Sequence, residues 1–179
     1  MSIIFKILYT IFFVVLFLEF LKFVLIFLLM ALALLWFRTW QMKKEPNQKD
    51  FLAGKLPNPK PDGLYNGNMG FNASWVGKKF NAENSAGINL FKDKKGRYSF
   101  APGSSMIEKY PFKTYVGKGL FDEDIFVLKL DYNMKGNPFW VRWIVDEMVE
   151  TSPNEYLGKM HVKIIPGLPF SILFFELKK

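Results

Sequence analysis

From Ile3 to Phe37 only Lys6, Glu19 and Lys22 are charged, and the run from Phe23 to Phe37 carries no charge at all. No sequence of this kind stays soluble as an exposed helix. About 20 apolar residues span the hydrocarbon core of a bilayer, and Phe20 to Phe37 approaches that length with Lys22 snorkelling at its edge. Trp36 and Trp40 then fall at one interface, where tryptophan is enriched. The earlier run, Ile7 to Leu18, is shorter and also apolar. Three arrangements fit: one long helix, a hairpin turning near Glu19–Lys22, or a helix that packs on partner subunits and buries those two charges. Glu19 and Lys22 are spaced to pair on one helix face, and bare charges at mid-membrane are costly. Ala31-Leu-Ala33 resembles a signal-peptide cleavage site, but the apolar run continues through Leu34, Leu35, Trp36 and Phe37, which argues for an anchor. Arg38, Lys43, Lys44 and Lys49 lie just after the run, against Lys6 ahead of it. The positive-inside rule puts the C-terminal part of the chain on the cytoplasmic side.

The rest of the chain reads as globular. Residues 41–63 form a polar linker with Pro46, Pro57, Pro59 and Pro61, either an extended strut or a plain loop. From 64 to 179, short apolar runs alternate with Gly, Asn, Asp and Pro turns. The expected strands are Leu64–Phe71, Ser74–Phe80, Gly87–Phe91, Arg97–Phe100, Tyr110–Val116, Ile125–Tyr132, Phe139–Val149, Tyr156–Ile165 and Phe170–Leu177. Strands at that spacing predict an all-β antiparallel sandwich or barrel. In Tyr156–Ile165 the residues Tyr156, Gly158, Met160, Val162 and Ile164 share one apolar face. Leu157, Lys159, His161 and Lys163 share the other, expected to be solvated. Phe139–Val149 is open to a second reading, as an amphipathic helix whose Trp140, Trp143, Ile144 and Met148 touch lipid.

Chemistry is sparse. The sequence has no Cys, which excludes disulfides and thiolate catalysis, and its only His is His161. No cofactor or metal site is expected. Ser104-Ser105 lies in a turn without a nucleophile-elbow motif. The net charge of +8 contains no basic block, which fits anionic lipid heads better than nucleic acid. Glu147 interrupts an apolar face. Two readings stay open: it meets a polar ligand group inside a cavity, or it sits at a barrel rim, because a buried unpaired carboxylate is costly. Aromatic residues make up 18% of the chain. Trp75, Tyr110, Phe112, Trp143, Phe170 and Phe174 are candidates for one interior, which they either line or fill. Trp75, Trp143 and Glu147 are the expected ligand contacts.

Trp75-Val-Gly-Lys-Lys-Phe80 resembles the Gly-x-Trp-x-Gly-Lys-x-Phe signature of small bacterial lipocalin-like domains, with Ala73 at the first Gly. The strand Gly87–Phe91, the stretch Val145–Glu150, the Leu157-Gly158 turn and the Phe-rich ending Pro169–Leu177 are similar as well. The resemblance implies an up-and-down β-barrel that holds a hydrophobic small molecule. The expectation is therefore a membrane-anchored binding module for a lipid or other apolar ligand. The alternative is an accessory subunit of a membrane complex with a filled barrel.

Overall fold

The computed structural model describes residues 3–70, 74–92 and 106–179. The expected strand Arg97–Phe100, the last residue of the expected strand Leu64–Phe71, Ala73 and Ser104-Ser105 lie outside them. The chain divides into two compact units, residues 1–37 and 38–179.

The first unit is helical. A single helix, α1, runs from Ile3 to Met42 without interruption. No Gly or Pro precedes Pro46, so nothing breaks the backbone near Glu19, and the hairpin arrangement does not form. Its apolar stretch is long enough to cross a membrane. Lys22 Nζ and Glu19 Oε2 pair at 2.5 Å, one turn apart.

The second unit is a closed eight-stranded antiparallel barrel with nearest-neighbour topology. Its strands are β1 (Gly63–Asn68), β2 (Trp75–Asn81), β3 (Ala86–Phe91), β4 (Ile107–Lys118), β5 (Phe126–Asp131), β6 (Ile144–Ser152), β7 (Glu155–Ile165) and β8 (Leu168–Lys178). β8 returns to β1 through Asn66↔Lys178, Gly67↔Leu177 and Asn68↔Glu176. Period-2 alternation divides the apolar residues into two cores. The lumen holds Tyr65, Phe80, Phe112, Leu128, Leu130, Met148, Tyr156, Phe175 and Leu177. The outer wall holds Val127, Val149, Leu157 and Phe174, covered by Met42 and Phe51.

Phe51 belongs to a short helix, α2 (Pro46–Ala53), within the segment read as a linker. Pro46 stands at its first turn, where a missing N–H costs nothing. The final turn of α1 also meets the barrel. Arg38 Nε donates to Ile172 O at 2.8 Å, and Ser171 N–H donates to Thr39 Oγ1 at 3.0 Å. These contacts satisfy backbone groups on the bulged stretch of β8.

The segment expected as one strand, Phe139–Val149, begins differently. Val141 and Arg142 N–H groups both turn back to Pro138 O. They make a 3-10 turn over Val141–Trp143 before β6 starts at Ile144. Asn137-Pro138 is the turn signal that sets this boundary.

Two glycines shape the lumen. Gly158 faces inward, and a Cβ there would run into the Phe175 ring. Gly158→Ala is therefore expected to overpack the core by about 1–3 kcal/mol, read as a lowered denaturation midpoint of the barrel. Gly77 sits at a bulge in β2 with φ of +148°, where a Cβ would collide with Tyr65 O.

Candidate functional site

The bulge at Gly77 explains the spacing of the Trp75–Phe80 motif. In an unbroken strand, Trp75 and Lys78 point to opposite faces. The extra residue resets the alternation, so Trp75, Lys78 and Phe80 all face the lumen. The lumen thus holds a buried lysine beside the Trp75 indole.

Lys78 is 3% exposed and its Nζ has three acceptors. Tyr132 Oη lies at 2.5 Å, Asn89 Oδ1 at 2.8 Å and Asp146 Oδ2 at 3.0 Å. Asp146 comes from β6, four strands round the barrel from β2, so the ion pair crosses the lumen. Rings of Trp75, Phe112, Tyr132 and Phe175 stand 4.9–5.4 Å from the ammonium. Burial pushes the Lys78 pKa down, with the Asp146 charge and hydrogen bond opposing it. Burial and the adjacent Asp146 charge push the Tyr132 phenol well above its ordinary value, so it remains a neutral donor and acceptor.

Beside this polar set lies a cavity of about 200 Å³. Its apolar wall includes Met69, Phe91, Tyr110, Val141, Leu173 and the Trp75 indole, and Lys78, Asn89, Tyr132 and Asp146 supply the polar part of its lining. It lies at the end of the barrel lined by Met69 after β1 and by Trp140 and Val141 ahead of β6. Trp140 lines it while remaining 50% exposed, so the cavity reaches the surface there. Toward the other end the lumen is filled: Tyr65 packs edge-on against Phe80 and Tyr156, and Phe80 against Phe112. The question of a lined or a filled interior thus has a divided answer.

The three residues expected to share one ligand site are not brought together. Trp75 lines the cavity, and its Nε1 donates to Asn89 Oδ1 at 3.0 Å. Trp143 lies in the 3-10 turn, partly exposed, against Phe139. Glu147 is fully buried, but on the outer wall rather than in the lumen or at a solvated rim. Of the other interior candidates, Tyr110 and Phe112 face the lumen, whereas Phe174 faces outward into the second core.

Glu147 organises a second polar cluster on that wall. Leu120 N–H donates to its Oε1 at 2.7 Å, and Lys129 Nζ stands 3.4 Å from the same oxygen. Its Oε2 meets His161 Nε2 at 3.1 Å, and Ser171 Oγ meets His161 Nδ1 at 3.1 Å. Burial raises the Glu147 pKa, but His161, Lys129 and the Leu120 N–H outweigh it and hold the carboxyl below its ordinary value. The expectation that His161 and Lys159 are solvated is corrected here. Both are buried, because α2, the end of α1 and the 119–125 connection cover this face. Lys159 Nζ pairs with Asp122 Oδ2 at 2.5 Å, and Gln48 of α2 donates to Asp122 Oδ1 at 2.9 Å. Ser171, His161 and Glu147 have the residue types of a nucleophile–base–acid set. All three are buried, and Thr39 occupies the Ser171 backbone, so the geometry offers a substrate no approach to Ser171 Oγ. The cluster ties the cover to the wall.

The lumen lysine and its partners were not among the residues expected at the site. Lys78 is the Lys of the Gly-Lys pair in the motif and shares the inward face of Phe80, two residues on, while the bulge at Gly77 brings Trp75 to the same face. Comparison of the chain with protein-family models, with curated proteins and with solved structures finds no match.

Proposed function

We propose that this protein is a membrane-anchored binding module that holds a small apolar molecule in the open end of its barrel. The supporting observation is the division of the lumen. One end is packed solid with aromatic rings, and the other is an apolar cavity with a few convergent polar groups, the usual composition of a ligand site. At about 200 Å³ it is smaller than the roughly 300–1,000 Å³ of drug-sized sites, and suits a short chain or single ring system. The resemblance of Trp75–Phe80 to lipocalin-like domains implies the same activity. Trp75 is the expected contact that lies in this cavity, and Tyr110, Trp140 and Leu173 join it. The apolar helix would keep the barrel beside lipid, where apolar ligands concentrate, and the basic residues after it favour a cytoplasmic barrel.

The test is recovery of the occupant. Full-length protein, extracted from membranes into amphipol, is expected to release a small apolar molecule on organic extraction, detected by mass spectrometry. Met160→Trp, which fills the cavity from β7, is expected to release none. A second reading has its own support: the Glu19–Lys22 pair is exposed in the middle of an apolar helix, where partner helices would shelter it. Empty extracts together with co-purifying membrane subunits would favour that accessory role and overturn the binding reading.

A further inference from the structure

We infer that the occupant of the lumen is an uncharged molecule presenting a hydrogen-bond donor, a hydroxyl or an amide N–H, on a short apolar body. The inference rests on the binding reading above and deepens it. Its ground is a complete count of donors and acceptors around Lys78, since buried polar groups are almost always paired.

Every donor in the cluster is in use. The three ammonium protons of Lys78 go to Tyr132 Oη, Asn89 Oδ1 and Asp146 Oδ2. Tyr132 Oη donates to Asp146 Oδ2 at 2.9 Å. Asn89 Nδ2 donates to Tyr110 O and to Tyr132 Oη, each at 3.1 Å. Trp75 Nε1 donates to Asn89 Oδ1. The acceptors are filled in the same way, with one exception. Asp146 Oδ1 is buried, accepts no hydrogen bond among the described residues, and belongs to a residue that lines the cavity. The other buried acceptor without a partner among the described residues, Asn137 Oδ1, belongs to a residue that does not line it. The cluster therefore asks its ligand for one donor and offers none in return.

Charge narrows the class further. Lys78 and Asp146 neutralise each other. A carboxylate head would place a second negative charge beside Asp146, and an ammonium head a second positive charge beside Lys78, each without a counter-ion in a desolvated site. A ketone or ester brings only acceptors to an oxygen that needs a donor. An alcohol or primary amide meets the demand without adding charge.

The experiment compares eight-carbon probes that differ in the head alone, added to the full-length protein in amphipol. Binding is read by tryptophan fluorescence, since Trp75 and Trp140 both line the cavity, and by thermal shift. 1-Octanol is expected to bind about tenfold or more tighter than 2-octanone, as one buried acceptor left unsatisfied implies. Octanoate and octylamine are expected to bind more weakly than octanol. Asp146→Asn keeps an oxygen for Lys78 and turns an amide donor toward the cavity, so octanol and 2-octanone should then bind within about twofold of each other. The wild-type comparison decides the matter even if that variant does not fold. Equal binding of octanol, 2-octanone and n-octane would overturn the donor requirement and leave the binding reading standing, as would a preference for octanoate. Failure of every probe to bind would overturn both.

Discussion

Replacing Asp146 with alanine is expected to destabilise the barrel by about 3–5 kcal/mol, the usual cost of removing one partner from a buried ion pair. The Lys78 ammonium would remain inside the lumen with only Asn89 Oδ1 and Tyr132 Oη as acceptors. A loss of that size is a large share of the roughly 5–15 kcal/mol that holds a domain together. Denaturant titration of the full-length chain, followed by near-ultraviolet circular dichroism, gives the figure. The double variant Lys78→Met with Asp146→Leu removes both charges. It is expected to recover much of the loss, because well-packed apolar replacements of buried pairs are often neutral or better. A cost below about 1 kcal/mol for Asp146→Ala, as at exposed pairs, would mean that the pair is not desolvated.

Glu147→Ala is expected to have an effect of similar size from the opposite side of the wall. It strands Lys129, His161 and the Leu120 N–H together, again at about 3–5 kcal/mol. Acid provides a second reading of the same carboxylate. Its folded pKa lies below the ordinary 4.5, so in that interval the unfolded chain binds more protons than the folded one. Stability from this group is complete above 4.5 and is lost as pH falls through the depressed folded value. Glu147→Gln removes that dependence, so its stability should vary less steeply with pH below 4.5 than that of the wild type. Equal slopes for the two proteins would show that Glu147 is not held in its charged form by these partners.

Much of this architecture is legible in the residues. The alternation in Tyr156–Ile165 correctly separates Tyr156, Gly158 and Met160 from Leu157, Lys159 and His161, and an apolar helix precedes an antiparallel barrel as the patterning predicts. Alternation, however, says only that two faces differ. It does not say that the basic face is covered. Lys159 and His161 read as solvated because their partners, Asp122, Glu147 and Ser171, are distant in sequence. Their cover comes partly from a segment that composition marks as linker, although Pro46 gave a helix-start signal. The lumen site was hidden for a related reason. Alternation puts Lys78 on the same face as Phe80, but a lysine reads as a solvated residue until its partners Asn89, Tyr132 and Asp146, distant in sequence, are seen. The bulge at Gly77, a backbone event with a weak sequence trace, hides the rest by setting Trp75 on the same face as Lys78.

The ion pair that crosses the lumen also couples the two sides of the sheet. Lys78 on β2 and Asp146 on β6 face one another because the sheet curls into a closed barrel. A flat sheet would hold the two charges apart, so the pair favours the curled form over any arrangement that buries one charge without the other. The bridge acts as a latch that discourages half-closed forms.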